Sequence, residues 1–543
     1  MSTPRDELVE LHRRLYQRQR RLISQSVQGA SAALRAYEGL YRARVRKFER
    51  IVPYDEVVRQ VAEADVVYVG DYHTLKQAQR SFAKLARRLA QSPRQVVLAL
   101  EFVQGRCQKH LDDWLARHID DAAFLARIDY ARHQIFGVWP NFKPIFELAR
   151  EHKLPVVAID RIGTGPGSLT RRDTYAAERL ARLRAEHPDA LVLVLVGQLH
   201  CAPPHLPRAT ARALAARGLA PAKELVVYQN AESVYWELTR RGLEHEVEAV
   251  EIRPGELCLV NTSPLIAQQS YLDWVESPDD NAEGEDPVAQ VEATAPRKHF
   301  VEMARVIARY LNLPVEHQLE GVEVYTAGDL SFLQLLRERG DFTPSELAAI
   351  RRQILARESY YIPRARIAYL ANLSLNHAAE EAAHFVRHAA SGGMDLERGL
   401  IDSFYARALE EAYAFFGSKI VNPRRKCAHE HDFARLARGK DEPERTIARL
   451  VLGHKRLERG ERQVSGAIRA LYGAADADLF NAVTHALGYI LGDKLYYGML
   501  KRKVSKREIR ELFLDPLEES GDPFHTYLHL AAKVGAVEVP RRA

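Results

Sequence analysis

Two stretches of the sequence each combine an unbroken apolar run with a closing Gly-x-x-His. Residues 65–73 read Asp-Val-Val-Tyr-Val-Gly-Asp-Tyr-His, and residues 191–200 read Leu-Val-Leu-Val-Leu-Val-Gly-Gln-Leu-His. A continuous Val/Ile/Leu run is typical of a strand whose sheet is covered on both faces, as in parallel α/β sheets. Ligands of such sheets bind beyond the carboxyl ends of the strands. The pattern therefore predicts that His73 and His200 lie at the edge of the sheet that carries the site.

Between residues 65 and 260, strand-length apolar runs alternate with helical stretches. Beyond the first run, strands are predicted over residues 95–101, 154–160, 191–196, 224–228, 247–253 and 256–260. Helical stretches between them cover residues 75–89, 109–116, 142–152, 174–186 and 209–217. Strands separated by helices of this length form βαβ units with right-handed crossovers. The predicted fold class is α/β, with a mostly parallel sheet and flanking helices.

The segments on either side of this region differ from it in composition. Residues 1–50 are rich in Arg, Glu and Leu and predict charged helices with a solvated face. Residues 277–297 are acidic and poor in apolar side chains at their start, as linkers are. Residues 298–543 carry helical periodicity, for example over 367–389, and predict an all-α C-terminal domain. The α/β domain is thus assigned to residues 51–276.

Composition narrows the class of protein further. The 78 basic and 72 acidic side chains are interspersed and leave a net charge of only +6, which does not favour nucleic acid as a partner. The four cysteines form no Cys-x-x-Cys pair, so we expect no disulfide framework and a reducing, cytoplasmic compartment. The N-terminus lacks the apolar core of a secretory signal, and the apolar runs are too short for a transmembrane helix. We expect a soluble protein.

Several groups that can carry chemistry follow the predicted strands. Asp71 and His73 follow the first strand, Glu101 and Asp160 end the next two, and His200 follows the fourth. Glycine at positions 70 and 197 lets the chain turn sharply and approach a ligand closely. Imidazole and carboxylate together either bind a metal or activate water, one group acting as base and another orienting it. Both chemistries remain open at this point.

These motifs resemble a known family. Val-Gly-Asp-Tyr-His at 69–73, Leu-Glu-Phe at 100–102 and Val-Gly-Gln-Leu-His at 196–200 are similar to the ChaN family of haem-binding uptake proteins, within the Tiki/TraB/erythromycin-esterase-like superfamily. The resemblance covers about residues 45–275. It implies a cleft that binds iron or haem in some members, and metal-dependent or His/Glu-based hydrolysis in the wider superfamily. Residue by residue it points to His73, Glu101 and His200, while Asp71 stands where the family usually has the longer Glu.

Two ligands follow as expectations, haem or a divalent metal ion. For haem, an axial ligand would come from Tyr72, His73, Tyr130, His133 or His200. Phe136 and Trp139 would cover a porphyrin face, and the alternative for Tyr130, His133, Phe136 and Trp139 is packing on a helical or loop segment. For a metal, His73, Glu101 and His200 would hold the ion and polarise a bound water, with Glu101 or Asp71 as general base.

A second constellation lies in the predicted helical domain. His377, Glu381 and His384 share one face of a helix with Glu380 and His388, and Glu381-x-x-His384 has the spacing of helical di-metal sites. Glu410, Glu411 or His485 would complete such a site. The alternative is a polar network between helices. The cluster Cys427-Ala-His429-Glu-His431 is a weaker metal-binding candidate and is interpreted as a solvated loop.

Three functional hypotheses remain. The first is an iron- or haem-binding protein that uses the strand-end cleft for a haem or other small-molecule ligand. The second is a metal-dependent hydrolase that uses the same residues to activate water. The third is a non-catalytic interaction protein, in which the site with Asp71 is degenerate and the helical domain binds a protein partner.

Overall fold

The computed structural model describes residues 3–26, 32–130, 139–162, 167–276, 295–326, 329–355, 358–371, 374–392, 398–460 and 477–540. These residues divide into two compact units, one within Leu15–Glu283 and the other within Met1–Arg14 and Gly284–Pro540. The first contains an α/β sheet and the second is mainly helical. The linker predicted at 277–297 falls largely outside the described residues.

An eight-stranded sheet in the order β1-β7-β8-β6-β2-β5-β3-β4 is the centre of the α/β unit. All pairings from β8 to β4 are parallel, whereas β7 pairs antiparallel with β1 and β8. The strands are β1 Arg50–Val52, β2 Val66–Asp71, β3 Val96–Gln104, β4 Val156–Asp160, β5 Leu191–Gly197, β6 Glu224–Gln229, β7 Ala249–Arg253 and β8 Glu256–Leu259.

Helices cover both faces of this sheet. The helices of the unit are α1 Pro4–Ser26, whose first half belongs to the other unit, α2 Ala32–Arg44, α3 Tyr54–Ala62, α4 Lys76–Leu89, α5 Gln108–Leu115, α6 Asp121–Arg127, α7 Trp139–Glu151, α8 Ser168–Glu186, α9 Leu206–Ala216, α10 Glu232–Arg241 and α11 Pro264–Glu276. Alternate residues of β2 enter two different apolar clusters: Val67 and Val69 pack with α3, α4 and α7, and Val66 and Tyr68 with α8 and α10. Every residue of β2 and β5 is buried, which explains their unbroken apolar runs.

The helical unit has its own core. Its helices are α12 Ala295–Leu311, α13 Phe332–Arg339, α14 Pro344–Leu355, α15 Leu375–Ser391, α16 Leu400–Val421, α17 Glu430–Leu436, α18 Glu442–Glu458, α19 Ala477–Leu500, α20 Lys506–Leu514 and α21 Asp522–Val534. The centre of the core is formed by α15, α16 and α19, which pack closely. At Gly488 the backbones of α19 and α16 approach so closely that an added Cβ would collide with the carbonyl of Ala408.

The predicted fold class is confirmed: a mostly parallel sheet with flanking helices is followed by a helical region. The helical region also contains a small sheet of β9 Glu323–Thr326, β10 Tyr360–Ile362 and β11 Ile367–Leu370. The helix predicted over 367–389 is therefore wrong in its first turn, because Ile367–Leu370 pairs with β9 and β10 and the helix begins only at Leu375. Across the described ranges, no helix is both long and apolar enough to cross a membrane.

Candidate functional site

Strand register brings the two Gly-x-x-His motifs to the same level of the sheet. β2 and β5 are parallel neighbours in which Asp71 lies opposite Gly197. Beyond Gly197 the chain forms a short 3-10 helix, Gln198–Cys201, which carries His200. β3 is the other neighbour of β5, so Glu101 follows at the same edge. The carboxyl ends of three adjacent strands therefore supply His73, Glu101 and His200.

The three side chains converge over Gly197. A Cβ placed on Gly197 would lie 3.2 Å from Nε2 of His73, 3.3 Å from Oε2 of Glu101 and 3.4 Å from Cδ2 of His200. The missing side chain of Gly197 thus leaves the space in which the three groups meet. The Gly197 backbone also takes part, since its N–H donates to Oε2 of Glu101.

Asp71 orients His73. Oδ2 of Asp71 lies 2.7 Å from Nδ1 of His73, and Oδ1 accepts a hydrogen bond from the buried Gln79 amide. The Asp71 side chain is 1% exposed and the His73 side chain 31%, so the imidazole is the member of the pair that meets solvent. Burial alone lowers the pKa of His73, but the hydrogen bond and charge of Asp71, with the charge of Glu101, raise it to about 9. His73 is therefore a cation at neutral pH.

A second carboxylate orients His200. Oδ1 of Asp173 lies 2.6 Å from Nδ1 of His200, while the hydroxyl of Tyr37 donates to Oδ2 at 2.8 Å. The hydroxyl also lies 2.8 Å from the same Nδ1, and its ring stacks on His205. Nε2 of His200 faces Glu101 and lies 3.7 Å from Oε1.

Arg172 connects two of the strand-end carboxylates. Its Nη2 donates to Oε1 of Glu101, and its Nε donates to Oδ1 of Asp160 at 2.8 Å. Burial raises the pKa of Glu101, but the charge of Arg172, followed by those of the two imidazoles and by the Gly197 N–H, lowers it to about 2. Glu101 is therefore an anion at neutral pH, with Arg172, both imidazoles and the Gly197 N–H around it.

Hydrogen bonds of the Gln198 and Gln229 side chains hold the turn after β5. Oε1 of Gln198 accepts from the backbone N–H of Gln229 at 2.7 Å, and the Gln229 side-chain amide donates to the carbonyl of Gly70 at 2.7 Å. A Cβ on Gly70 would lie 2.7 Å from Oε1 of Gln198, closer than ordinary contact. Gly70 is thus needed so that Gln198 can hold the His200 turn against β2 and β6.

The structure places the candidate haem residues differently. Tyr72 packs with the apolar cluster of Leu75, Ala78 and Ala267. Trp139 is buried among aromatic rings, with its centroid 5.7 Å from that of Phe102, and Tyr130 packs against the same ring. Trp139 is thus a core residue, whereas Tyr72 and Tyr130 are partly buried and pack against apolar clusters. His133 and Phe136 lie outside the described residues.

A metal ion in the cleft would require ligand atoms of His73, Glu101 and His200 that lie close together. Over the described ranges, ligand atoms of His73, Glu101 and His200 do not all come within 4.8 Å of one another. Both carboxylate oxygens of Glu101 already accept hydrogen bonds, one of them from the cationic Arg172. As the side chains stand, they do not fit a closed three-ligand site.

Three residues of the cluster were missed by the sequence analysis: Arg172, Asp173 and Tyr37. Arg172 and Asp173 lie in the first turns of α8, in a run of charged residues that resembles a solvated helix face. Tyr37 lies on α2 within the N-terminal segment, where its spacing to Tyr41 and Val45 marks a helical stripe. That stripe packs on the α/β unit, since Tyr41 and Val45 contact the same core.

The helical constellation forms a network of ion pairs and hydrogen bonds between α15, α16 and α19. Glu380 pairs with Arg425 at 2.7 Å and accepts from the hydroxyl of Tyr489. Glu411 pairs with Arg407 at 2.9 Å and lies 3.1 Å from Nδ1 of His485. Glu381 is buried, and burial with the charges of the two neighbouring glutamates raises its pKa well above the ordinary value.

The proposed metal ligands of this constellation are not brought together. His377, Glu381 and His384 do not form a group of donor atoms within 4.8 Å among the described residues. His377 lies near the start of α15, where its N–H is capped by the Ser374 hydroxyl. The described side chains therefore favour the polar network between helices.

Comparisons with known proteins bear on the strand-end cluster. No curated protein matches the chain. A solved structure described as cofacial heme binding to ChaN of Campylobacter jejuni is 14% identical with a TM-score of 0.24, covering 33% of this chain and 86% of that one. The structure of the type III effector HopBA1 is 17% identical with a TM-score of 0.28, covering 40% and 97%. At these TM-scores neither likeness carries an argument about function.

The family comparison covers the first half of the α/β unit. The model of the family described as haem-binding uptake, Tiki superfamily, ChaN matches residues 57–161. That segment includes β2, β3 and β4 and therefore Asp71, His73, Glu101 and Asp160. The ChaN-like resemblance inferred from the motifs is thus confirmed by the match of residues 57–161 to the haem-binding uptake, Tiki superfamily, ChaN family.

Proposed function

We propose that this chain is a hydrolase whose strand-end cluster activates water by general acid–base chemistry. One observation carries the proposal. Two imidazoles from adjacent parallel strands are each held at Nδ1 by a buried carboxylate, and both approach the space over Gly197. Such orientation fixes the tautomer and direction of a catalytic imidazole.

His200 is proposed as the general base. Its side chain is 7% exposed, and its Nδ1 is fixed by Asp173 and Tyr37. Nε2 then carries the lone pair that takes a proton from water, while Asp173 stabilises the imidazolium that forms. Asp173 and Tyr37 are positioning residues in this scheme.

His73 and Arg172 are proposed to stabilise the developing negative charge. With a pKa of about 9, His73 is protonated at neutral pH and can donate through Nε2 to a substrate oxygen or leaving group. Arg172 adds a second fixed positive charge at the cleft, and its side chain is 27% exposed. Glu101 forms an ion pair with the guanidinium and lies 3.7 Å from Nε2 of His200. The substrate class this suits is an ester, amide or phosphoester, whose reaction concentrates charge on one oxygen.

The haem hypothesis receives less support. Tyr72, Tyr130 and Trp139 are engaged in apolar packing, and His200 is almost enclosed. The match of residues 57–161 to a haem-binding family keeps haem as the second candidate, which makes a different prediction, since a bound haem gives a Soret band. For a metal ion, the Arg172–Glu101 pair would have to open before the carboxylate could ligate.

The compartment is proposed from the cysteines. Cys107, Cys201, Cys258 and Cys427 are all free thiols. Such usage supports a reducing, cytoplasmic location.

The test is a panel of chromogenic carboxylic esters, amides and phosphoesters, applied to the purified full chain. We expect turnover of at least one class by the wild type, retained with a chelator present, and lost by at least about 10²-fold in His200→Gln. His152→Gln, at the end of α7 and away from the cluster, is the matched control and should retain activity. A folded wild type without turnover on the panel, or with a haem Soret band removed by His73→Gln, contradicts the proposal.

A further inference from the structure

A second group of donor atoms lies in the helical unit. Cys427 and His429 lie in the loop between α16 and α17, and Asp493 lies on α19. Sγ of Cys427 is 3.6 Å from Nε2 of His429 and 3.8 Å from Oδ2 of Asp493, and the last two atoms are 2.9 Å apart. A thiol, an imidazole and a carboxylate therefore face one point.

These distances can be compared with the edges of a metal tetrahedron. Zn²⁺ binds sulfur at about 2.3 Å and nitrogen or oxygen at about 2.0–2.1 Å, so ligand atoms of a tetrahedral site are roughly 3.3–3.6 Å apart. The two distances that involve sulfur are within about 0.3 Å of such edges. The His429–Asp493 distance is that of a hydrogen bond, and it needs to widen by about 0.4 Å to admit the ion. Side-chain rotation alone can supply a change of that size.

One oxygen of the Asp493 carboxylate is held in place by Lys419. Its Oδ1 accepts from Nζ of Lys419, a fully buried ammonium that also donates to the carbonyl of Arg425 and lies 3.3 Å from the hydroxyl of Tyr497. Oδ2 is thereby turned to Cys427 and His429. Outer hydrogen bonds of this kind orient the ligands of metal sites.

The group is reachable from solvent. The His429 side chain is 17% exposed and Cys427 is half-buried, so the loop side of the group borders solvent. His431 does not belong to the group, since its side chain is 53% exposed and lies 3.3 Å from Asp432. The interpretation of Cys427-Ala-His429-Glu-His431 as a solvated loop is thus wrong for its first two polar residues, which face Asp493.

We propose that Cys427, His429 and Asp493 bind one Zn²⁺ ion, with a water in the fourth position. The thiolate selects a borderline or soft transition metal over Mg²⁺ and Ca²⁺, which take oxygen ligands. Binding releases the Cys427 proton, and the thiolate and carboxylate balance the charge of the ion beside Lys419. The ion ties the α16–α17 loop to α19. This site is independent of the hydrolytic function proposed for the strand-end cluster.

Cobalt substitution tests the proposal. The full chain is stripped with a chelator and titrated with Co²⁺ alone, whose thiolate complexes show a charge-transfer band in the near ultraviolet. We expect a band that saturates at one Co²⁺ per chain and that Zn²⁺ displaces. Cys427→Ser should abolish the band, and His429→Gln should weaken Co²⁺ binding at least about 100-fold. His429→Gln changes a partly exposed side chain, so it tests the ligand without disturbing the core.

Two cysteine variants are the controls. Cys201→Ser removes the thiol beside the strand-end cluster, and Cys107→Ser removes another buried thiol of the α/β unit. Both should keep the band. Absence of a charge-transfer band in the wild type, or a band that survives Cys427→Ser, overturns the proposal and leaves a hydrogen-bonded loop anchor.

Discussion

The space over Gly197 makes Gly197→Ala the sharpest perturbation of the strand-end cluster. The backbone does not oppose the change, because Gly197 has a φ of −47° and alanine adopts that conformation readily. Reduced freedom of the unfolded chain by itself would stabilise the protein by about 0.4–1 kcal/mol. Any loss of stability in Gly197→Ala must therefore come from contacts of the new methyl with His73, Glu101 and His200.

The magnitude follows from three distances. The methyl would lie 3.2 Å from His73, 3.3 Å from Glu101 and 3.4 Å from His200, whereas carbon prefers heavy atoms at about 3.5–4.0 Å. Each side chain must withdraw by a few tenths of an ångström, and Glu101 is held by Arg172 and by the Gly197 N–H. Overpacking of this kind costs about 1–3 kcal/mol. A misplacement of 1 Å costs about 10²-fold in rate, so we expect roughly a tenfold loss of hydrolysis.

Denaturant unfolding and the hydrolysis rate are the two assays, and Gly39→Ala is the matched control. Gly39 lies in α2 with no atom within 4 Å of an added Cβ, so alanine there should stabilise the protein by about 0.5–1 kcal/mol and leave the rate unchanged. The reasoning is refuted if Gly197→Ala behaves like Gly39→Ala, with gained stability and an unchanged rate.

Three further predictions concern charge and packing. Asp71→Asn should lower the pKa of His73 from about 9 to 6.5 or below, as NMR titration of labelled histidine can measure. At about 1.4 kcal/mol per pKa unit the lost stabilisation is roughly 3.5 kcal/mol, which is fully present below pH 6.5 and lost as the pH rises through 9. Arg172→Met should lower the free energy of unfolding at pH 7 by about 3 kcal/mol, because Glu101 stays buried without its cation. This loss of stability should shrink as the pH falls from 4.5 through 2. Equal losses at pH 7 and pH 3 would contradict the prediction. Gly488→Ala should cost about 1–3 kcal/mol or more in thermal unfolding, because its methyl meets the α16 backbone, and an unchanged melting temperature would argue against that close approach.

The main features of the sheet and half of the cluster could be predicted from sequence, because both depend on local pattern. Continuous apolar runs identify β2 and β5, and the position just after each strand identifies His73 and His200. β11 was missed because a four-residue apolar run before a helix has no periodicity of its own, and only its pairing with β9 and β10 makes it a strand.

The rest of the cluster depends on contacts far apart in the chain. Asp173 and Tyr37 are separated by 136 residues; Tyr37 lies in a segment predicted to have a solvated face, and Asp173 directly precedes the helix predicted from residue 174. The Cys427 loop was misjudged for the same reason, since Asp493, which faces it, is 66 residues further along on another helix. Polar residues that gain their role from a distant partner leave no periodic signal.

The most direct test of the account is a double-mutant comparison of His73→Gln and His200→Gln. If the two imidazoles act as one centre, each single variant should lower kcat/KM by about 10²–10⁴-fold, and the double variant should lose little more than the worse single variant. The measurement uses the substrate found by the panel, in the presence of chelator. Losses that multiply in the double variant, or full activity in either single variant, would contradict a single acid–base centre over Gly197.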